Sequence, residues 1–364
     1  MSEAHWAELA RLLVRRSLDV QPGWQVAVRS TPLGRPLVEA CCREIARCHA
    51  YALPQIILGF ERWTIPLAWA EEAPEELLGT LAPIERHAAE TVDARLSILA
   101  PERVWTEPPL TPERRRLVQQ ALEPVARRSR AMEVRWVVTM FPTPAAAENA
   151  GMSVEELTDF LRDSCLRDWD AERERMSRVA ERLEAASEVR IVGAGTDVTL
   201  GVGGRPAEVD HSLRNMPGGE VFLCPLEDTA EGVIEFSEFP AHHAGGHVEG
   251  MRLVFRGGEV VEATARSGEE LLQQALATDD GARRLGEIGI GTNFGIQRPI
   301  GAILFDEKIG GTVHLALGRS YPETRGRNKS ALHWDLICDL REDGRLSADG
   351  ETVLENGRFA HVAS

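Results

Sequence analysis

Two histidines and an aspartate near the C-terminal end of the chain have types and a spacing that suit metal binding. His314 lies in one apolar segment, and His333 and Asp335 lie in the next. Because residues two apart in an extended strand point to the same side, His333 and Asp335 share a face while Trp334 points away. The apolar residues around this pair predict a half-buried strand, where polar side chains need partners. A metal ion would supply those partners, as would a hydrogen bond between the two side chains.

Two glutamates in the same half of the chain have glycines and apolar residues as neighbours. Glu220 follows Gly218-Gly219 and precedes an apolar strand, and Glu287 stands within Leu285-Gly-Glu-Ile-Gly-Ile-Gly. Neither context is typical of a solvated charge, so each carboxylate is expected to bind a metal ion or to accept hydrogen bonds from the amides of a turn. Three carboxylates and two neutral imidazoles balance most of the charge of two divalent ions. With one carboxylate bridging, such a set leaves positions open for water and substrate.

The segments that contain these residues resemble the thermophilic-type aminopeptidases, a family of metallopeptidases, and the similarity extends over nearly the whole chain. The motifs that carry it are Gly-Glu-Val-Phe, Gly-Glu-x-Gly-Ile-Gly-x-Asn, Thr-x-His-x-Ala-x-Gly and Ser-x-x-His-x-Asp. The resemblance implies two divalent ions per chain, Zn, Co or Mn, held by the metal ligands Glu220, Glu287, His314, His333 and Asp335. It also implies that Tyr321 stabilises the transition state.

This set of ligands leads to a hypothesis for catalysis. Glu287 would bridge the two ions, water held between them would attack the scissile carbonyl, and Tyr321 would donate a hydrogen bond to the oxyanion. The expected substrates are peptides with a free N-terminus, and the family implies a homodimer. Two departures affect the rim of the pocket. Tyr321 and His333 are close in sequence where longer relatives carry an insertion, and Arg325 stands where the family usually has glycine.

Two other functions fit part of this pattern. His314, His333 and Asp335 alone form a two-histidine, one-carboxylate set, which can hold Fe(II) with open positions for oxygen. A ring-cleaving dihydroxypyridine dioxygenase, a relative of the same family, is similar in this respect. The second alternative is a non-catalytic relative that keeps the fold. Metal binding by Glu220 and Glu287 would distinguish hydrolysis at two ions from oxidation at a single iron.

Three other polar clusters are weaker candidates. The segment His242-His243-Ala-Gly-Gly-His247 has no acid at a fixed helical spacing and is interpreted as a solvated loop. Asp197 and Arg205 are interpreted as a structural pair. The segment Asp306-Glu307-Lys308 could help to position the site, and a charged turn before Ile309-Gly-Gly is an equally good interpretation.

Composition excludes several classes of function. The chain has 364 residues with 57 acidic and 41 basic side chains, a net charge of −16. This balance argues against non-specific binding to nucleic acid or to anionic lipid. The N-terminus has no signal-peptide pattern and no apolar run approaches the length of a membrane span, so a cytoplasmic location is expected. The six cysteines include no C-x-x-C pair and are expected to be reduced, mostly buried thiols.

The predicted elements divide the chain into two parts. Strands over 25–28 and 54–58 flank a helix over 37–48, a β-α-β unit typical of a parallel sheet, and further strands are expected over 96–99 and 134–140. A capping box at Ser153 opens a long helical region that reaches about residue 186. Short β segments with glycine turns follow. The expected fold class is α/β, with an N-terminal Rossmann-like parallel-sheet domain over 1–186 and a C-terminal mixed, β-rich α+β domain over 187–364 that carries the metal site.

Overall fold

The computed structural model describes residues 3–58, 65–104 and 110–360. The chain divides into two compact units, Met1–Leu166 with Ser212–Pro217, and Arg167–His211 with Gly218–Ser364. The domain boundary after residue 186 stays a prediction, and the two compact units divide earlier, at Leu166. All five candidate metal ligands and Tyr321 belong to the second unit.

The first unit is built around a four-stranded parallel sheet. Its strands are β1 Gln25–Ser30, β2 Tyr51–Ile56, β3 Ala94–Leu99 and β4 Arg135–Met140, in the order β2-β1-β3-β4. The helices described in this unit are α1 Glu3–Arg11, which continues as a π-helical segment over Leu12–Ser17, α2 Arg35–Arg47, α3 Leu67–Glu72, α4 Glu75–Leu78, α5 Pro83–Thr91, α6 Pro112–Arg130, α7 Pro144–Ala150 and α8 Val154–Cys165. The predicted β-α-β unit is confirmed, with α2 as the crossover. Strand β2 begins before the predicted position and includes Pro54, which an edge strand tolerates because its free side needs no amide donor.

The long helical region that was predicted from Ser153 is two helices. Ser153 caps α8 as expected, since its hydroxyl accepts from the Glu156 amide while the Glu156 side chain accepts from the Ser153 amide. A second cap at Asp168, which accepts from two amides, starts a new helix, α9 Trp169–Ala185. Asp is a favoured N-cap residue, so this local signal ends the continuity that the apolar spacing predicts. Among the helices of the described ranges, none combines the length and apolar composition that crossing a membrane requires.

The second unit is dominated by antiparallel strands. Its further helices within the described residues are α10 Glu269–Leu276 and α11 Ile303–Asp306. Its strands are β5 Glu188–Gly193, β6 Thr196–Gly201, β7 Glu208–Asp210, β8 Glu220–Leu223, β9 Glu231–Phe236, β10 Ala241–His243, β11 Gly246–Val248, β12 Met251–Arg256, β13 Glu259–Thr264, β14 Leu285–Gly291, β15 Thr312–Gly318, β16 His333–Asp339, β17 Arg345–Ala348, β18 Glu351–Glu355 and β19 Arg358–Phe359. They form an eight-stranded sheet in the order β13-β12-β9-β6-β5-β17-β18-β19, a five-stranded sheet in the order β16-β15-β14-β8-β7, and a β10-β11 hairpin.

The five-stranded sheet has two chemically different faces. One face carries apolar side chains such as Ile288, Leu315 and Leu336, which belong to the hydrophobic core of the second unit. Because side chains alternate along a strand, the intervening residues of β14, β15 and β16 point to the other face. Those intervening residues include Glu287, His314 and Asp335, although every residue of β14 and β15 is buried. The sheet therefore places polar groups on a surface that is shielded from water.

Candidate metal centre

Four neighbouring strands of the five-stranded sheet contribute the candidate ligands. Glu220 is the first residue of β8, Glu287 lies in β14, His314 in β15, and His333 and Asp335 in β16. In the antiparallel register, Glu287 lies opposite Ala316, and Ala316 lies opposite Asp335. The small alanine between the two carboxylates leaves the space above β15 open. Residues that are far apart in sequence thus converge on one patch of the sheet.

The imidazole of His314 lies across the neighbouring strand, over Gly289. These residues are register partners, and a Cβ added at position 289 would come within 2.1 Å of His314 Nε2. With no side chain at 289, the ring extends over β14, and its Nε2 lies 3.2 Å from Glu287 Oε1 and 3.5 Å from Glu220 Oε2. Gly289 is one of the glycines that flank Glu287 in the sequence. Its lack of a side chain therefore makes room for the His314 ring.

The ligand atoms form two groups that share one residue. Within the described ranges, the groups able to hold a metal ion are Glu220, Glu287 and His314, and Glu287, His333 and Asp335. Nε2 of His333 lies 3.5 Å from Asp335 Oδ1 and 3.9 Å from Glu287 Oε2. The structure thus brings all five residues together, with Glu287 common to both groups.

Hydrogen bonding in this cluster orients the candidate ligand atoms. The ring Nδ1 of His333 lies 2.8 Å from the carbonyl oxygen of Arg319. A carbonyl only accepts, so Nδ1 carries the hydrogen and Nε2, the atom near the carboxylates, presents a lone pair. Glu287 Oε2 and His314 Nδ1 are both buried, and neither has a hydrogen-bond partner among the described residues. A buried carboxylate oxygen without a partner is costly, and a divalent cation would satisfy it, so these residues fit a metal centre of mixed oxygen and nitrogen ligands.

The carboxylates of the cluster concentrate negative charge in a buried place, which also favours the binding of a cation. Burial, together with the nearby Glu307, raises the pKa of Glu220 well above its usual range. Burial lowers the pKa of His314, but its hydrogen bond to Glu287 and the carboxylates of Glu220 and Asp335 outweigh that effect and raise the pKa to about 9. Protons therefore supply the positive charge when no metal ion does. Metal binding must displace them, because a ligand has to be deprotonated to bind.

Lys308 also belongs to this site, a role for which the sequence alone allowed two interpretations. Its side chain is completely buried, with Nζ 3.0 Å from Glu220 Oε1 and 3.7 Å from Asp210 Oδ2, and it also pairs with Glu307. Burial lowers the pKa of Lys308, but these carboxylates raise it well above its usual value. Lys308 is thus a fixed positive charge beside one candidate ligand, which favours the interpretation that this segment helps to position the site.

The tyrosine predicted as an active-site residue lies at the edge of the same cluster. Its hydroxyl oxygen is 3.3 Å from Nε2 of His333, and its ring packs edge-on against Phe222 with centroids 5.9 Å apart. Burial, with Glu287 and Asp335 nearby, raises the pKa of Tyr321 far above its usual range, so the phenol stays neutral and can donate a hydrogen bond.

The remaining polar clusters lie apart from these ligands. His242 and His243 are in the β10-β11 hairpin, and the His243 ring packs against Trp334 with centroids 4.9 Å apart. The candidate metal groups of the described ranges include neither histidine. Asp197 and Arg205 each have another partner, because Asp197 pairs with Arg190 and Arg205 pairs with Glu227.

Two solved structures share this fold. Wild-type AmpT from Thermus thermophilus superposes with a TM-score of 0.83 at 24% identity, covering 98% of this chain and 99% of that chain. A 2,5-dihydroxypyridine dioxygenase from Pseudomonas putida KT2440 has a TM-score of 0.64 at 17% identity, covering 99% and 98%. The predicted fold class, with an N-terminal parallel sheet and a β-rich C-terminal part, is confirmed, and that part is antiparallel.

Sequence comparison gives the family. Aminopeptidase 2 of Geobacillus stearothermophilus is 29% identical over 96% of both chains, and Aminopeptidase T of Thermus aquaticus is 27% identical over 97% of both. The sequence profile of the family described as thermophilic metalloprotease (M29) matches residues 2–359. The predicted family and the predicted class of enzyme, a metallo-aminopeptidase, are confirmed. The chain belongs to the thermophilic metalloprotease (M29) family.

Proposed function

We propose that this chain releases the N-terminal residue of peptides at a site that holds two divalent metal ions. The observation that supports two ions is that Glu287 belongs to both groups of candidate ligands. A shared carboxylate is the arrangement that dinuclear hydrolases use to hold two ions close together. Each group by itself has three donors, which leaves open positions for water and substrate.

Each of the five residues has a place in this proposal. Glu220 and His314 would hold one ion, His333 and Asp335 would hold the other, and Glu287 would contact both. When bound, the ions act as Lewis acids and lower the pKa of water so that it can attack a carbonyl at neutral pH. The ligand types suit Zn²⁺, Co²⁺ or Mn²⁺.

The surrounding side chains orient this set. The carbonyl of Arg319 fixes the ring of His333, and such support of a ligand typically increases metal affinity. Nζ of Lys308 lies 3.0 Å from Glu220 Oε1, and its positive charge partly offsets the burial that raises the pKa of Glu220. The buried strands β14 and β15 exclude bulk water from the floor of the site, which strengthens its electrostatic interactions. Homodimer formation and a cytoplasmic location stay predictions.

Removal and return of metal tests the proposed function. Protein treated with a chelator is expected to lose hydrolysis of leucine p-nitroanilide and to regain it with Zn²⁺, Co²⁺ or Mn²⁺. Titration should saturate at two ions per chain. One iron per chain, with oxygen-dependent cleavage of dihydroxypyridine and no release of p-nitroaniline, would instead establish the dioxygenase. No activity of either kind in the metal-loaded protein would favour the non-catalytic relative.

Replacing Tyr321 by Phe tests the oxyanion role of the phenol. The variant keeps the edge-on packing with Phe222 but loses the hydroxyl near His333. Because a donor to the oxyanion acts mainly in the transition state, kcat is expected to fall by about 10²-fold to 10³-fold with little change in KM. Steady-state kinetics on leucine p-nitroanilide measures both constants, and the metal content should match that of the wild type. A variant with wild-type kcat would exclude this role.

A further inference from the structure

A large cavity of the second unit is lined by arginines in an otherwise acidic protein. Its volume is about 840 Å³, and its charged lining residues are Arg205, Arg284, Arg325, Arg327, Glu227 and Asp228. Arg205 pairs with Glu227 and Arg284 pairs with Glu259, so the excess of positive charge comes from Arg325 and Arg327, in a chain whose net charge is −16. Such a local field attracts anions.

Arg205 lines this cavity, and one of its hydrogen-bond donors has no acceptor among the described residues. Only 5% of its side chain is exposed, and one terminal nitrogen donates to Glu227 at 2.7 Å while the other donates to the carbonyl of Arg325. Its Nε is buried and has no hydrogen-bond partner among the described residues. A buried donor that belongs to a charged group and lacks a partner is costly. Arg205 therefore adds an incompletely compensated positive charge to the lining of the cavity, which an anion would stabilise.

Arg325 and Arg327 form the outer part of the same cavity and are exposed. The backbone of Arg325 has φ +59°, in the left-handed region that favours glycine, yet the position carries an arginine. Among the residues that the structure describes, the hydrogen-bond partner of the Arg325 guanidinium is a neutral group, the Gly204 carbonyl at 3.2 Å. Within the described part of the chain, no ion pair involves Arg327, although its amide donates to Glu227 at 2.8 Å. Both guanidinium groups are thus placed to bind a ligand.

Two stretches of chain link the cavity to the candidate metal site. Arg325 is in the loop that begins at Tyr321, and this loop closes on itself because the amide of Gly326 donates to the Tyr321 carbonyl at 3.1 Å. Arg284 precedes Glu287 by three residues, so the Cα atoms of these two residues lie at most roughly 10 Å apart. A peptide held at the metal site by its N-terminal residue spans that distance with about three further residues in an extended form.

We infer that this arginine cavity binds a carboxylate of the peptide substrate, located about three residues beyond the scissile bond. The inference rests on the proposed function and refines its substrate class. The group bound is the C-terminal carboxylate of a short peptide or an acidic side chain at that distance. Planar guanidinium groups bind carboxylates through paired hydrogen bonds, which gives selectivity as well as affinity. Free phosphate is also an oxyanion that guanidinium groups bind through paired hydrogen bonds, and it is the competing ligand.

Peptides that differ only at the C-terminus test this inference. The tetrapeptide Leu-Ala-Ala-Ala is compared with its C-terminal amide at constant ionic strength, and the readout is the ratio of the two KM values. The wild type is expected to have a KM at least about tenfold lower for the free acid, the effect of losing one hydrogen-bonded charge. In the double variant Arg325→Gly and Arg327→Gln, the ratio should approach one. Glycine suits the backbone at 325, and the ratio is independent of any general change in activity.

Control measurements separate this inference from the proposed function. Arg345→Gln removes an exposed arginine of the same unit outside the cavity and should keep the wild-type ratio. Leucine p-nitroanilide is too short to reach the cavity, so failure to hydrolyse it would contradict the proposed function. If the anilide is hydrolysed but acids and amides have equal KM values from dipeptide to hexapeptide, the inference is wrong.

A phosphate titration distinguishes the two sources of the anion. Inorganic phosphate is expected to raise the KM of the free-acid tetrapeptide and to leave that of its amide unchanged, because only the acid competes for the arginines. If phosphate instead changes kcat for the anilide, and the double variant abolishes that change, the cavity binds a free anion that acts on the Tyr321 loop. That result would overturn the assignment to substrate.

Discussion

Glu287→Gln is expected to lower kcat/KM for leucine p-nitroanilide by about 10³-fold or more and to weaken both metal positions at once. Glu287 is the one residue common to the two candidate groups, and its Oε2 has no other partner among the described residues. Glutamine keeps the size of the side chain but removes the charge and one of the two acceptor oxygens. Metal analysis of the purified variant, with a titration by Zn²⁺, measures the loss of both ions.

Single replacements in each group sharpen this test. Glu220→Gln alters only the group with His314, and Asp335→Asn alters only the group with His333, so each variant should retain one ion more tightly than the other. The matched control is Glu355→Gln, an exposed glutamate of the same unit, which should bind two ions and keep full activity. If Glu287→Gln still binds two ions with wild-type affinity, the bridging role of Glu287 is excluded.

Gly289→Ala is expected to reduce activity strongly, although residue 289 contributes no candidate ligand atom. The added methyl group would lie 2.1 Å from Nε2 of His314, far inside contact distance, so the imidazole must leave its position over β14. Displacing a ligand by an ångström or more is expected to reduce kcat/KM by about 10²-fold. Overpacking of a buried position should also lower the free energy of unfolding by about 1–3 kcal/mol. Kinetics, metal content and urea denaturation measure the three effects.

Gly193→Ala provides the comparison for this variant. Gly193 ends β5, and a Cβ there would meet its nearest atoms at 3.6 Å and 3.9 Å, which is ordinary contact. That variant should keep its metal and its activity. If Gly289→Ala behaves in the same way, the ring of His314 has room to move without loss, and the proposed role of the glycine fails.

Much of the candidate site was predictable because its residues leave local signals in the sequence. His333 and Asp335 share a face through strand alternation, and Glu287 is conspicuous among glycines and apolar residues. The β-α-β unit of the first sheet was likewise readable from the spacing of its segments. The family motifs then joined ligands that lie far apart in the chain.

What the sequence left undecided depends on contacts between distant segments. Lys308 is part of the site only because Glu220 and Asp210, on other strands, surround it, and no local spacing reveals that. The same holds for Arg205, whose partners Glu227 and Arg325 come from two other loops. The division between α8 and α9 was missed for another reason, since apolar periodicity continued past the cap at Asp168.

The two faces of the five-stranded sheet connect catalysis to correct folding. If β14 slipped by one residue against β15, Ile288 and Ile290 would turn towards the metal ligands and Glu287 would turn into the hydrophobic core. An ionised carboxylate in that core would have no compensating partner, so the slipped arrangement would be strongly disfavoured. If the proposed site holds metal ions, only a chain with its strands correctly aligned can bind them, so metal binding would report the correct register of the sheet.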